Sequence, residues 1–309
     1  MNVAICPDGS LLTTFFTEPG LYLVQPKPQR PSPQHVHLFD SHTATIGIVE
    51  IDTDSFFVVA TNFSTQTFYV TPGSSAIYRV IFPKDQSTNV TVEPAVTLPR
   101  NIGSPKFLTT LNDRMLLLGD LYKGNILAID TCQGTSRVAI RDPLFLPIDT
   151  IIIPVGVNGL IIQGNILYFT STRGRTFPDE SKAIMRHVRP RGPASTIAKG
   201  PPNADDPSPV LYDGFAIDDK EEYAYVAMAG GHSAAKINLC TGNQDIIAGN
   251  LNITEIAQPI AVEFERAEHE DTLYVVTGGG YLLSVYGKKR VGGQVVAVKV
   301  GSQFAQTEL

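Results

Sequence analysis

Short apolar runs recur in pairs along this chain, and a tight turn separates the two runs of each pair. The second run ends in small residues or threonine, and a further strand then closes on another turn. Successive pairs begin roughly 44 to 60 residues apart, a period typical of propellers built from four-stranded blades. The six pairs are 2–5 with 10–16, 46–51 with 56–62, 106–111 with 114–120, 158–162 with 165–171, 213–217 with 222–228, and 259–264 with 272–278.

The pattern predicts an all-β fold, a six-bladed β-propeller with four-stranded blades around a central channel. A chain of 309 residues accommodates six blades of about fifty residues as one domain, 1–309. The composition agrees, because 43% hydrophobic and 17% charged residues supply a large core, while 26 Gly and 22 Pro supply many turns. The predicted blades lie near 2–45, 46–105, 106–157, 158–212, 213–257 and 258–309.

Charge and cysteine content narrow the classes of partner. The net charge is −6 and the pI is near 5.5, and Lys and Arg are not clustered, so we expect no nucleic-acid partner. No apolar run approaches the length that crosses a bilayer, which predicts no membrane span. Cys6, Cys132 and Cys240 lie in blades too far apart for disulfide geometry and are predicted to be free thiols. The sequence indicates no oligomeric state.

The two ends of the chain bear on its localisation. It begins directly at an innermost strand, and its last unit supplies three strands before the tail 301–309. An outer strand is expected to protect that edge. It would come from the tail or, as we favour, from residues upstream of Met1 removed together with a signal peptide. Removal of a signal peptide predicts a secreted or secretory-pathway protein, in agreement with sequons at Asn62, Asn89 and Asn252. An outer strand from the tail predicts a cytoplasmic protein.

Residues that begin the inner strands of a propeller converge at one mouth of the channel. For a single Asn or Asp at such a place, capping of its own turn is the simpler interpretation. Here Asn158-Gly and Asp213-Gly take the same position in two blades, which favours a shared site. The segment 173–187 is a long insertion that could cover the channel. The predicted ring is Asn2, Ile46, Lys106, Asn158, Asp213 and Gln258, and a second shell contains Phe63, Asp120, Tyr122, Arg173, His232 and Tyr281.

Several stretches resemble the gluconolactonase and senescence-marker-protein superfamily of six-bladed propellers, and most of all its fungal gluconolactonase-like members. The resemblance extends over nearly the whole chain. It is carried by NVAICPDGSLLTTFFTEPGLYLV (2–24), GIVEIDTDSFFVVATNFS (47–64), GVNGLIIQGNILYFTST (156–172), YDGFAIDDKEEYAYVAMAGGHSAAKINLCTG (212–242), AGNLNITEIAQP (248–259) and DTLYVVTGGG (271–280).

In the lactonases of that superfamily, a Glu, two Asn and an Asp hold a divalent cation at the channel mouth. By this resemblance Asn158 matches one Asn ligand and Asp213 matches the Asp. The second Asn falls at Lys106, and the Glu falls at Met1 or upstream of it. Ca²⁺ prefers six or more oxygen ligands with carboxylates among them, whereas this ring offers one carboxylate, one amide and an ammonium. We therefore expect no cofactor, with Ca²⁺ or another divalent cation on Asn158 and Asp213 as the alternative.

Other fungal propellers that this chain resembles act as hetero-Diels–Alderases in tropolone sesquiterpenoid biosynthesis. The resemblance implies a metal-free pericyclase that joins a tropolone-type quinone methide to a humulene-type alkene, a small hydrophobic substrate. Whether the same pocket also assists dehydration to the quinone methide stays open at this point. Lys106 would donate to the tropolone oxygens, Asn158 would add a hydrogen bond, and Asp213 would accept a proton or keep Lys106 charged.

The second-shell residues would complete the substrate site. Arg173 or His232 would supply another donor, and Phe63, Tyr122 and Tyr281 would form apolar walls. A structural ion pair of Lys106 with Asp213 explains those two residues equally well. Two further functions stay open at this point: a metal-dependent lactonase or esterase, and a non-catalytic propeller that binds a ligand.

Overall fold

A computed structural model describes residues 2–26, 32–83, 89–149, 154–172, 183–188, 195–199, 211–266, 271–285 and 290–300. The regular structure is almost entirely β, as the alternation of buried and exposed positions predicts. Helical structure in these ranges is confined to two 3₁₀ turns, Pro143–Phe145 and Ala229–Gly231. No helix in this part of the chain has the length and apolar character needed to cross a bilayer.

The first three sheets are four-stranded antiparallel meanders, and in each the first strand is the innermost. Blade 1 contains β1 (Asn2–Ile5), β2 (Leu11–Thr14), β3 (Gly20–Val24) and β4 (Gln34–Leu38). Blade 2 contains β5 (Ala44–Asp52), β6 (Ser55–Thr61), β7 (Ala76–Ile81) and β8 (Thr91–Thr97). Blade 3 contains β9 (Pro105–Thr110), β10 (Met115–Asp120), β11 (Asn125–Asp130) and β12 (Thr135–Arg141).

A two-stranded ribbon, β13 (Ile148–Asp149) with β14 (Pro154–Val155), precedes the remaining three sheets. Blade 4 contains β15 (Val157–Gln163), β16 (Ile166–Thr172), β17 (Ala183–Val188) and β18 (Ser195–Lys199). Blade 5 contains β19 (Tyr212–Ile217), β20 (Tyr223–Met228), β21 (Ser233–Asn238) and β22 (Gln244–Gly249). Blade 6 contains β23 (Pro259–Phe264), β24 (Thr272–Thr277) and β25 (Val295–Lys299).

The innermost strands form a closed ring in the order β1, β5, β9, β15, β19, β23, with β23 against β1. The predicted all-β propeller of four-stranded blades is confirmed for five sheets, and the described residues of the sixth form three strands. The tail 301–309, one predicted source of an outer strand, lies outside the described residues. Apolar side chains from facing sheets fill the spaces between blades, so the core is a set of inter-blade layers around the channel.

Threonine at the end of a second strand connects one blade to the next. The Thr14 hydroxyl donates to the Ile46 carbonyl at 2.7 Å, which joins blade 1 to the inner strand of blade 2. The Thr170 hydroxyl donates to the Asp213 carbonyl at 2.8 Å and accepts the Gly159 N–H at 2.8 Å. Because these groups are buried, each hydrogen bond satisfies a polar atom that would otherwise be unpaired. The recurrent threonine in the sequence pattern is thus a connection between blades.

The three cysteines are free thiols, as predicted, but they differ in exposure: Cys6 is buried, whereas Cys132 and Cys240 are exposed. Burial raises the pKa of the Cys6 thiol to about 11. We expect a thiol reagent at pH 8 to label two cysteines of the native protein rapidly and the third only after unfolding, since the thiolate is the reactive form. Mass spectrometry of labelled peptides checks this, and rapid native labelling of Cys6 would contradict it.

The same buried thiol predicts a loss of stability in alkali. An unfolded cysteine has a pKa of about 8.5, so above that pH the unfolded chain releases a proton that the folded chain keeps. The contribution of Cys6 ionisation to the free energy of unfolding, about 3 kcal/mol at most, is fully present below pH 8.5 and is lost as the pH rises towards 11. Urea unfolding of a Cys6→Ala variant should therefore depend less steeply on pH between 8.5 and 11 than that of the unaltered protein.

Candidate active site

One mouth of the channel, the end at which the inner strands begin, also receives the loops that follow the second strands. Strand register shows this: Asn2 pairs with Thr14, Pro105 lies opposite Asp120, and Pro259 lies opposite Thr277. We call this end the upper mouth. The described members of the predicted ring and second shell therefore lie at one end of the molecule.

An ion pair crosses the channel at the upper mouth. Lys106 Nζ lies 2.6 Å from Asp213 Oδ1, and the two side chains are only 16% and 10% exposed. Lys106 is on β9 of blade 3 and Asp213 is on β19 of blade 5, so the inner strand of blade 4 lies between them. Side chains from non-adjacent blades meet only if both extend into the channel. The two residues with the largest predicted roles are thus in direct contact.

Asn158 lies on β15, the inner strand between the two members of the ion pair. Its Nδ2 atom donates to the Tyr212 carbonyl at 3.4 Å. Its Oδ1 atom is buried and has no hydrogen-bond partner. An unpaired buried acceptor costs about 1–3 kcal/mol, so a ligand hydroxyl that reached this oxygen after a shift of the side chain would supply a hydrogen bond that the protein does not.

The described side chains at the upper mouth offer few oxygen ligands for a divalent cation. The Asp213 carboxylate is already bonded to an ammonium group, and Asn158 contributes one amide oxygen. Within the ranges that the structure describes, no group of three or more His, Cys, Asp or Glu side chains could hold a metal ion. A hard cation would need several more oxygens and would be repelled by Lys106.

Asp120, a predicted substrate-binding residue, is 2% exposed and bonded to backbone groups. Its Oδ2 atom accepts the Gly103 N–H at 2.8 Å, and its Oδ1 atom accepts the Ser104 N–H at 2.9 Å and the Lys123 N–H at 3.3 Å. Gly103 and Ser104 lead directly into β9. The carboxylate therefore holds the segment that places Lys106 at the mouth.

His232 is also buried, and its Nδ1 atom accepts the Gln258 N–H at 3.0 Å. Gln258 Oε1 accepts the Leu282 N–H at 2.9 Å, so the ring residue Gln258 fixes the loop that carries Tyr281. Both His232 (φ 46°) and Gln258 (φ 57°) have left-handed backbone conformations, which are uncommon for residues other than glycine. These bonds make the junction of blades 5 and 6 rigid at the upper mouth.

Four aromatic rings, here named the aromatic cap, pack together at the upper mouth. They are Phe16 of blade 1, Phe63 and Phe68 of blade 2, and Tyr281 of blade 6. Ring centroids are 6.0 Å apart for Phe16–Phe63, 5.4 Å for Phe16–Tyr281, and 6.4 Å for both Phe63–Phe68 and Phe68–Tyr281. All four side chains are half-buried, so the cap still presents apolar surface.

Tyr122 of blade 3 supports the cap from the other side, because its hydroxyl donates to the Phe68 carbonyl. Burial raises the pKa of Tyr122, which keeps the hydroxyl protonated as a donor. The structure thus brings together the predicted wall residues Phe63, Tyr122 and Tyr281 by way of Phe68, which the sequence analysis missed. Phe68 lies in the loop STQTFY (64–69), whose sequence is not repeated in the other blades. The predicted donor Arg173 lies outside the described residues, as does most of the segment 173–187.

Below the ion pair the channel continues as a cavity of about 410 Å³ towards the opposite end, the lower mouth. Its lining begins at Phe107 and Gly214, the residues after Lys106 and Asp213, and ends at acidic residues and Arg266. A second ion pair crosses here: Arg266, after β23 of blade 6, contacts the Glu50 carboxylate on β5 of blade 2. Blade 1 lies between these two residues, just as blade 4 lies between Lys106 and Asp213.

Comparison with known proteins shows the fold. No model of a known protein family matches the chain, and neither does any curated protein. Among solved structures, a luciferin-regenerating enzyme is similar with a TM-score of 0.66 and 13% identity over 97% of this chain and 90% of that one. The PQQ-bound aldose sugar dehydrogenase of Streptomyces coelicolor is similar with a TM-score of 0.63 and 15% identity, over 96% and 93%.

A putative 6-phosphogluconolactonase of Bacteroides fragilis is also similar, with a TM-score of 0.54 and 13% identity over 87% of this chain and 75% of that one. The structural neighbours therefore include propeller enzymes of several chemistries. At these identities the likeness establishes the propeller fold and leaves the reaction to be argued from the site.

Proposed function

We propose that the protein is a metal-independent cyclase whose upper mouth catalyses a hetero-Diels–Alder addition of a tropolone-type quinone methide to a humulene-type alkene. The ion pair between Lys106 and Asp213, 2.6 Å long and nearly buried, is the observation that carries the proposal. An ammonium group held in one place by a carboxylate is a preorganised donor for the oxygen of a heterodiene. The aromatic cap supplies an apolar surface at the same mouth for the hydrocarbon partner.

The addition itself needs orientation more than acid–base chemistry. Polarisation of the heterodiene oxygen by Lys106 lowers the energy of the empty orbital that accepts electron density from the alkene. Holding the two reactants in one relative orientation converts an encounter in solution into a unimolecular step and selects one face of the alkene. Asn158 Oδ1, which is unpaired, would accept a hydrogen bond from a substrate hydroxyl and fix the tropolone ring.

The ion pair would also serve the preceding dehydration of a hydroxymethyl tropolone to the quinone methide. Asp213 accepts the proton of the ring hydroxyl, the electron pair moves through the ring, and the C–O bond of the hydroxymethyl group breaks. Lys106 protonates the departing hydroxide, which leaves as water. The resulting neutral acid and amine exchange one proton along their hydrogen bond, and this restores the carboxylate and the ammonium.

The test is the stereochemistry of the product formed from a hydroxymethyl tropolone precursor and α-humulene, followed by chiral chromatography. We expect one predominant stereoisomer with the unaltered protein, with or without EDTA, and the mixture of the spontaneous reaction with Lys106→Met. Lys236→Met is the matched control, because Lys236 stacks 3.9 Å from the Tyr223 ring on blade 5, outside the upper mouth.

Two results would contradict the proposal in different ways. Lactone hydrolysis that EDTA abolishes would instead indicate a metal-dependent lactonase; the name of the Bacteroides fragilis neighbour suggests a lactonase activity for that protein. If the unaltered protein shows neither stereocontrolled addition nor lactone hydrolysis but still binds tropolone, it is a propeller that binds its ligand without converting it.

A further inference from the structure

The Phe68 backbone is held in an unfavourable conformation at the upper mouth. Its φ is 59°, in the left-handed region that bulky side chains rarely adopt. Among the described residues, four other non-glycine residues have a positive φ, and two of them, Asp54 and Glu221, lie in turns between first and second strands at the lower mouth. Phe68, His232 and Gln258 lie in connections at the upper mouth. Strained backbone therefore also occurs at the proposed site.

Several contacts keep Phe68 in this conformation. Its N–H donates to the Ser64 carbonyl at 2.7 Å, and its carbonyl accepts the Tyr122 hydroxyl from the next blade. Its ring packs on Phe63 of its own blade and on Tyr281 of blade 6. Strain of this kind persists only where the surroundings determine the conformation. Here the surroundings direct a large apolar ring inwards over the mouth, whereas the next side chain, Tyr69, is 52% exposed.

The position of the ring determines what it can contact. Tyr122 follows β10, and its Cβ lies 2.8 Å from where a Cβ on Gly103 would be, three residues before Lys106. Phe68 is therefore connected by one hydrogen bond to the segment that carries the lysine. A ligand with oxygen atoms at Lys106 would extend its remaining part towards the cap, and apolar rings there favour hydrocarbon over polar groups.

We infer that Phe68 is a specificity-determining residue and that the aromatic cap is a separate subsite for the hydrocarbon part of the substrate, a large cyclic alkene. This inference rests on the proposed function for the identity of the two reactants. Tyr122 acts as a positioning residue that holds Phe68. The upper mouth thus has a polar subsite at Lys106 and an apolar subsite at Phe68, and each can be removed without the other.

Two stable probes separate the subsites: tropolone for the polar one and α-humulene for the apolar one, each titrated alone against the full chain. We expect Phe68→Ala to weaken α-humulene binding roughly tenfold, because a buried aromatic contact is lost, and to leave tropolone binding unchanged. Lys106→Met should weaken tropolone binding and leave α-humulene binding unchanged. Leu111→Ala removes an exposed apolar side chain from the turn after β9, at the lower mouth, and should change neither affinity.

A Phe68→Gly variant shows whether the weaker binding comes from loss of the ring or from destabilisation of the fold. Glycine accepts a φ of 59° without strain, so this variant should melt at the same or a higher temperature than Phe68→Ala and show the same weakened α-humulene binding. If α-humulene does not bind the unaltered protein, or binds it and Phe68→Ala equally, the inference is wrong. The two proposals can also fail separately. If Phe68→Ala weakens α-humulene binding tenfold but the unaltered protein shows no stereocontrol, the proposed function is wrong and the apolar subsite is still supported.

Discussion

Replacing Lys106 by methionine should lower the free energy of unfolding by about 3–5 kcal/mol, because a nearly buried carboxylate loses the ammonium group that pairs with it. The Asp213 side chain is 10% exposed and its partner atom lies at 2.6 Å, so water can replace the ammonium only in part. Methionine keeps most of the volume of lysine and leaves little cavity. The expected loss is therefore mainly electrostatic, and urea unfolding at neutral pH measures it.

A double-mutant cycle tests whether the pair acts as a unit. Asp213→Asn alone leaves an unpaired ammonium and should also destabilise, whereas Lys106→Met with Asp213→Asn removes both charges and should recover about half of the loss or more. Lys299→Met is a suitable control, since Lys299 forms a 3.0 Å pair with Asp271 in which the two side chains are 73% and 51% exposed, and exposed pairs contribute little. Strict additivity at Lys106 and Asp213 would show that the pair is not coupled.

Stability and catalysis can be separated in the same variants. A purely structural ion pair predicts that the double variant, once its stability has recovered, also regains stereocontrol. A catalytic ammonium predicts that stereocontrol stays lost although the fold is restored. Product stereochemistry measured beside the unfolding curves therefore distinguishes the two roles that the sequence left open.

The second large effect is expected at Asp120, a residue that touches no substrate in our account. Asp120→Ala should destabilise the protein by about 3–4 kcal/mol, since it leaves the N–H groups of Gly103 and Ser104 without acceptors in a buried segment. It should also displace the start of β9, so tropolone affinity should fall although Lys106 is still present. Unfolding curves and tropolone titration measure the two consequences.

Asp130→Ala is the matched comparison for Asp120. Asp130 likewise ends a strand and accepts backbone N–H groups, those of Cys132 and Gln133, but these are exposed to solvent. Water can replace the lost acceptor there, so we expect the loss of stability, which includes the contact with Arg114, to be well below that of Asp120→Ala and tropolone binding to be unchanged. If the two variants behave alike, Asp120 does not position β9 as described.

The repeat pattern was sufficient for the framework, since the paired apolar runs located the two inner strands of every blade. It also placed Lys106, Asn158 and Asp213 at one mouth, because equivalent positions in repeated units converge by symmetry. The repeat of the blades does not predict the conformation of irregular loops, however. Phe68 lies in a loop whose sequence is not repeated in the other blades, and neither its backbone conformation nor its contact with Tyr122 follows from apolar periodicity.

Polar residues were harder to assign for a related reason. Asp120 was predicted to face substrate because it ends a strand at the mouth, and the sequence does not show that adjacent N–H groups occupy both of its oxygens. The pairing of Arg266 with Glu50 was likewise not predicted, because these residues are 216 positions apart and belong to different units. Side-chain partners depend on three-dimensional neighbours that periodicity specifies only on average.

The two crossing ion pairs have a mechanical consequence. Lys106 with Asp213 spans one side of the annulus at one face, and Glu50 with Arg266 spans the opposite side at the other face. Tilting the sheets apart to dilate either opening would break a charge contact. Ligand entry and exit would then depend on displacement of the loops around each opening, while the ring of inner strands keeps its diameter.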